Sequence, residues 1–408
     1  MKILFFNSFS AVQGGAERLL LDTSRNLLAA GHQVGLVVAN DDRHIKIKEF
    51  WPAQVNRYFM PELLVPLSNK SIYCNYRRSR KYKQAIAYLQ DIVDIEDPDL
   101  IHVHNFPSIE IFKDLQISKP LVRTIHSYEN LCRTRMKILP DGSVCPYPLG
   151  RRCTDVCDAP DDFLASRVRA ENRFMKKRFS RIVAISTWIE DVLKLNGFSE
   201  HQVKCIPNFT SLNPQDSGIT ELDQVLYVGR ITPEKGLREL IEAVGRTKSK
   251  PQLRVIGGYG LLGQSDYDKA LEKEAQKWNV SMSLEPWAEK EELEQAYRSA
   301  KIVAFSSTWP EPFGLVGIEA MCYGKAVISF AVGGVGDWLN DGGNGFLIPH
   351  RDCATFAKRI DHLLLDDQLR EKMGAEGVQK ATGYFTPKRH LTQLIALYEE
   401  AINECFTD

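Results

Sequence analysis

Short apolar runs alternate with helical patterns along this chain, and the alternation occurs twice. KILFF (2–6) leads through a Gly-Gly turn into a helical pattern ending at Gly31, and QVGLVVA (33–39) follows. DLIHVHN (99–105), PLVRTI (120–125) and RIVAIS (181–186) continue the series. After RIVAIS, Thr187 and Glu190 have the spacing of a capping box. Apolar runs separated by helices predict a mostly parallel sheet covered on both faces. The polar stretch TSLNPQDSGITEL (210–222) has no periodicity and predicts a linker. A second series then begins with QVLYVGR (224–230), QLRVIGG (252–258), KIVAFSS (301–307), AVISFA (326–331) and GFLIP (345–349). The expected fold class is therefore α/β, with two Rossmann-like, doubly wound parallel-sheet domains at 1–209 and 223–387. Ligands bind such sheets beyond the carboxyl ends of the strands, so two facing sheets would form a cleft.

Composition narrows the function classes. No apolar run approaches the roughly 18 residues needed to span a bilayer. The first apolar run turns polar at Asn7 and Ser8, too early for a signal-peptide core, which predicts a cytoplasmic chain. Nine cysteines in such a chain read as reduced thiols. The net charge of zero conceals an asymmetry: residues 1–208 carry 30 Lys and Arg against 23 Asp and Glu, and the remainder 22 against 29. Two domains meeting different partners would have this pattern.

The candidates for chemistry stand at strand ends. In VGRITPEKG, Arg230 follows a strand, Lys235 lies five residues on, and Gly236 opens a helix. Two cations beside a helix N-terminus suit a phosphate or diphosphate. In WPEPFGLVGIEAM, Glu311 precedes a helix starting near Phe313 or Gly314, and Glu319 lies within it. Paired carboxylates can serve a glycosidase, about 5–9 Å apart across a sugar, or accept hydrogen bonds from sugar and ribose hydroxyls. Glu319 is flanked by Ile318 and Ala320, and a carboxylate in such surroundings needs a partner. Gly14 and Gly15 form a tight turn before a helix and lack a full G-x-G-x-x-G. His126 ends PLVRTIH at the expected ligand side. His102 and His104 share one strand face; His102 reads as structural, while His104 and Asn105 are either structural or within reach of an acceptor.

The E-x7-E of EPFGLVGIEAM, the G-R-x4-K-G before it, and the later VGG and GNGF segments together resemble the family-4 glycosyltransferases of the GT-B fold, over nearly the whole chain. The resemblance implies that Arg230 and Lys235 hold the donor diphosphate, Glu319 the ribose hydroxyls and Glu311 the donor-sugar hydroxyls. It also implies that the amides of Phe313, Gly314 and Leu315 complete the phosphate cradle. Gly14 and Gly15 would let backbone approach the sugar and diphosphate, and His126 would face the sugar. It further implies transfer with retention of configuration, no enzymic nucleophile, and a last helix (388–408) that returns to the first domain. The implied donor is a GDP- or UDP-linked sugar, and the acceptor a glycan or lipid-linked glycan in bacterial surface polysaccharide or glycolipid synthesis.

Other features stand beside this pattern. Asp97-Pro-Asp99 imitates a metal-binding D-x-D but precedes its strand, so it reads as a turn, and transfer is expected to need no metal. Cys132, Cys145, Cys153 and Cys157, with twelve, seven and three intervening residues, could bind structural zinc or an iron–sulfur cluster, although the paired C-x2-C is missing. Pro286 and Trp287 occupy the region where the family commonly has a glycine near the base, and Asp337 stands where a glutamate is usual. CNYRRSRKYK (74–83) and NRFMKKRFSR (172–181) are solvated faces or contacts for an anionic membrane. Nucleic-acid binding lacks a motif. The alternatives are a sugar-nucleotide epimerase of the same fold and a non-catalytic sugar-nucleotide-binding protein.

Overall fold

The computed structural model describes residues 1–12, 14–40, 51–60, 77, 79–157, 163–212, 220–258 and 266–405. Of the linker, 213–219 lie outside these residues, as do 74–76 and 78 of the first basic segment. The chain divides into two compact units, Met1–Pro207 with Pro387–Asp408, and Asn208–Thr386.

The first unit is built on strands β1 (Lys2–Asn7), β2 (Gln33–Val38), β3 (Asn56–Phe59), β4 (Leu100–Val103), β5 (Leu121–Ile125), β6 (Arg181–Ala184) and β7 (Val203–Cys205). They pair in parallel in the order β3-β2-β1-β4-β5-β6-β7. Consecutive residues Ile3, Leu4, Phe5 and Phe6 are all buried, as a strand covered on both faces requires. Leu394, Leu397, Tyr398 and Ala401 of the helix Pro387–Cys405 join Ile3, Leu20, Leu27 and Leu36 in one apolar core. Arg181 ties this helix to β6 through a fork-to-fork ion pair with Glu404, one bond of which is 2.8 Å. Pro387 suits its place at the helix start, where a missing N–H costs nothing.

The second unit contains β8 (Leu222–Val228), β9 (Gln252–Ile256), β10 (Met282–Glu285), β11 (Ala300–Phe305), β12 (Ala326–Phe330) and β13 (Gly345–Ile348). Their order is β10-β9-β8-β11-β12-β13, again parallel throughout. In each sheet the winding direction reverses beside its first strand, between β1 and β4 and between β8 and β11. At such a reversal the connections leave in opposite directions, opening a crevice at the carboxyl ends.

Three strands go beyond the sequence reading: β3, β7 and β10, each of three or four residues and each at a sheet edge. The cap of the helix Thr187–Leu195 also differs by one residue. Ser186, not Thr187, is its N-cap, and the hydroxyl accepts the Ile189 N–H at 3.1 Å. Asp97 ends the helix Arg80–Glu96 in the left-handed conformation, and the Asp99 carboxylate accepts the Lys2 N–H at 2.7 Å. That turn lies at the amino end of β4, away from the crevice.

Candidate active site

In the second unit the crevice between β8 and β11 gathers charged side chains. Arg230 follows β8 by two residues, with its side chain 48% exposed and 3.9 Å from Glu234. Lys235 ends the short 3₁₀ turn Pro233–Lys235, and its ammonium binds the Glu311 carboxylate. The turn is locked to the β11 end: Thr308 N–H donates to Glu234 O at 2.9 Å, and Ser306 Oγ to Lys235 O at 3.1 Å. Gly236 permits this, because its φ is +67° and a Cβ there would lie 1.9 Å from Ser306 O.

Glu311 is 4% exposed. Its Oε1 takes Lys235 Nζ, Ser307 Oγ at 2.7 Å and Trp309 Nε1 at 2.8 Å. Burial alone would push the carboxyl's pKa up, but the Lys235 charge and these hydrogen bonds outweigh it and hold the pKa below the ordinary value. Glu311 is thus a buried anion at neutral pH. Tyr227 lies within the reach of its charge. Its hydroxyl donates to Arg230 O at 2.7 Å, and its pKa is driven far up by burial and then by the Glu311 charge.

The helix Leu315–Cys322 begins beyond this anion. Trp338 is fully buried and donates to Phe313 O at 2.7 Å, fixing the helix entry. A Cβ on Gly317 would lie 2.2 Å from the Trp338 ring, so this helix packs at glycine distance. Gly314 caps it with φ +93°, while Phe313 is buried and Leu315 half-buried. Glu319 is half-buried and accepts from Tyr297 OH at 3.3 Å. Lys235 and Glu311 therefore touch, and Tyr227, bonded to Arg230 O, feels the Glu311 charge; Glu319 stands further along with Tyr297.

In the first unit Gly14 and Gly15 are exposed at the start of the helix Gly15–Ala29. Gly14 is extended, at φ −171°, a conformation open to any residue. Buried Glu17 occupies the first turn, hydrogen-bonded by Asn7 and Asn105 side chains, and burial nevertheless raises its pKa. Asn105 N–H also donates to Asn7 Oδ1 at 3.1 Å, closing the network between the ends of β1 and β4. Asn105 and His126 are half-buried. His104 is 3% exposed, with Nδ1 2.9 Å from His126 Nε2. His102 is buried as expected, its Nδ1 2.6 Å from Tyr398 OH and its Nε2 2.8 Å from Thr124 Oγ1. Burial and then the Arg123 cation push the His126 pKa down to about 3, so its ring is neutral at pH 7.

Cys132, Cys145, Cys153 and Cys157 are free thiols, the first three buried. Among the described residues no three His, Cys, Asp or Glu side chains are grouped as metal ligands. Among them, too, no helix is long and apolar enough to cross a membrane. A cavity lined by Lys2, His32, Asn56 and Glu96 opens at the amino ends of β1 and β2, opposite the crevice.

Residues 13–213 match the family described as Glycosyltransferase Family 4, and residues 210–380 match Glycosyl transferases group 1. The chain belongs to the family-4, group 1 glycosyltransferases. The chain is 37% identical over 188 residues to the D-inositol 3-phosphate glycosyltransferase of Corynebacterium efficiens, a match covering 44% of each chain. It thus spans under half the length of that relative. A Xylanimonas cellulosilytica protein of the same name is 28% identical over 302 residues, 69% of this chain and 66% of its own. Among solved structures, Anabaena Alr3699/HepE in complex with UDP-glucose aligns with a TM-score of 0.72 at 20% identity, covering 98% of this chain and 100% of that one. Sucrose-phosphate synthase from Thermosynechococcus elongatus aligns at 0.75 and 21% identity, covering 99% of both chains. These likenesses concern the fold, which is α/β of the GT-B class.

The sequence pattern did not single out Ser307, Trp309, Tyr227 or Glu17. The first three had a signal, since polar side chains at the carboxyl ends of β8 and β11 face a ligand crevice. Glu17 had one as well, because an acidic residue in a first helical turn complements the helix dipole.

Proposed function

We propose that the protein is a retaining glycosyltransferase that moves a sugar from a nucleoside-diphosphate sugar to a hydroxyl of a glycan or lipid-linked glycan. The observation that carries this reading is the pair of half-buried Lys235 and buried Glu311 at the β8/β11 reversal, braced by Ser307 and Trp309. A glycosidase acid would need a raised pKa, whereas Glu311 is held ionised. An ionised, oriented carboxylate is suited to accept sugar hydroxyls, with Oε2 available beside the bonded Oε1.

In this reading Arg230, Lys235 and the amides of Phe313, Gly314 and Leu315 stabilise the charge that develops on the departing diphosphate. Losing one such preorganised donor costs about 10²–10³ in rate. Glu319 holds the ribose, and Gly14 and Gly15 leave room for backbone to approach the donor. His126, being neutral, contributes a hydrogen bond to the sugar. The acceptor attacks from the face the diphosphate leaves, and a diphosphate oxygen takes its proton. A uridine donor is supported by the UDP-glucose complex of the Anabaena neighbour. A small phosphorylated polyol is the second acceptor class, supported by the names of the relatives and by the excess positive charge of residues 1–208. The setting is cytoplasmic, with the basic segments offering peripheral contact to an anionic membrane.

The test is product analysis with UDP- and GDP-sugars against oligosaccharide, lipid-linked glycan and inositol phosphate acceptors, in EDTA. We expect acceptor-dependent nucleotide release and a product with the donor's anomeric configuration. Epimerised sugar formed without acceptor would overturn the reading in favour of an epimerase. Activity abolished by EDTA and restored by manganese would overturn metal independence.

A further inference from the structure

We propose that His104 is a positioning residue that sets the tautomer of His126, donating from its Nδ1 to His126 Nε2 so that His126 carries its own proton on Nδ1. The proposal rests on the reading of His126 as a donor-site residue.

His104 is fixed from several sides. Its backbone N–H donates to Phe6 O at 2.9 Å, just past the end of β4. Its ring lies 5.4 Å from Phe5 edge to face, 4.4 Å from His102 and 5.1 Å from His126, nearly parallel to the last. His102 is itself clamped between Tyr398 and Thr124, so the stack is anchored at its inner end. Burial disfavours the charged form of all three rings.

A neutral imidazole has one N–H and one lone pair. The 2.9 Å contact between His104 Nδ1 and His126 Nε2 therefore holds a single proton, which belongs to one ring or the other. His104 Nε2 decides between them, because it is buried without a hydrogen-bond partner among the described residues. Were His126 the donor, His104 would carry its proton on Nε2 as an orphaned buried N–H. Buried N–H groups of the backbone are left orphaned more rarely than acceptors, and the same preference applied to the imidazole makes His104 the donor. With His104 as donor, its Nε2 keeps only a lone pair. Which nitrogen of a histidine is protonated is set by the bond the other nitrogen makes. His126 then offers an Nδ1–H to an oxygen of the donor sugar, while His104 touches no substrate.

The full-length protein, labelled with ¹⁵N-histidine, tests this through long-range ¹H–¹⁵N correlations, with His126→Gln identifying the signals. We expect protonated Nδ1 and bare Nε2 at His126 in the wild type. His104→Asn should keep that pattern, because its amide nitrogen takes the place of Nδ1. His104→Phe should move His126 towards Nε2–H and lower kcat on the order of ten- to a hundredfold, with donor KM unchanged and most of the rate restored in His104→Asn. A wild-type His126 protonated on Nε2, or a tautomer unchanged in His104→Phe, would overturn the proposal. If His104→Phe does not fold, the wild-type and His104→Asn spectra decide. The spectra need no turnover, so absence of transferase activity would count against the proposed function and leave the tautomer to be judged by itself.

Discussion

Lys235 and Glu311 are 76 residues apart in sequence and form one ion pair, with Glu311 buried and Lys235 half-buried. Removing one partner of such a pair leaves an uncompensated charge, at a cost of about 3–5 kcal/mol. Lys235→Met should therefore destabilise the protein by that order and raise the Glu311 pKa, with donor binding lost. Adding Glu311→Gln should restore much of the stability and none of the binding, as read by denaturant unfolding and nucleotide titration. Two additive losses would mean that the pair is not coupled. Glu311 was legible as a carboxylate in apolar company, but nothing local in the sequence indicates its distant partner. The sequence left His104 open between two readings for a related reason. Alternation in IHVHN tells which face a residue occupies and not how deeply the neighbouring strands cover it.

Elements were read where their pattern was long and apolar. The central strands announced themselves through Val, Ile and Leu runs buried on both faces, as in AVISF of β12. The edge strands NRYF, VKC and MSLE did not, because one side of each lacks a partner strand and polar residues are tolerated there. Glycine was the better guide to the site, since Gly236 marks the point where the Lys235 turn meets the end of β11. Gly236→Ala should cost about 1–2 kcal/mol from its left-handed backbone alone, and more from the 1.9 Å approach to Ser306 O. We expect a lower Tm and weakened nucleotide affinity together. An unchanged affinity would separate this turn from the donor site.

At the scale of the molecule, the chain returns at Pro387 to finish the unit that it began. Leu394, Leu397 and Tyr398 are each nearly fully buried there. At about 1.5–3 kcal/mol apiece, their removal approaches the roughly 5–15 kcal/mol that holds a domain folded. Ending the chain after Thr386 should therefore leave Met1–Pro207 open to protease while a fragment of Asn208–Thr386 survives. Equal resistance of both units would contradict this account of the first core.

The central claim, a nucleoside-diphosphate sugar held at the β8/β11 reversal, is tested most directly by thermal-shift binding. The panel is GDP, UDP, ADP and TDP with their common sugars, and Arg230→Ala and Glu319→Ala run in parallel. We predict a rise in Tm with one base, lost in both variants. No shift with any nucleotide, or a shift that survives both substitutions, would contradict the account and favour a protein without this donor site.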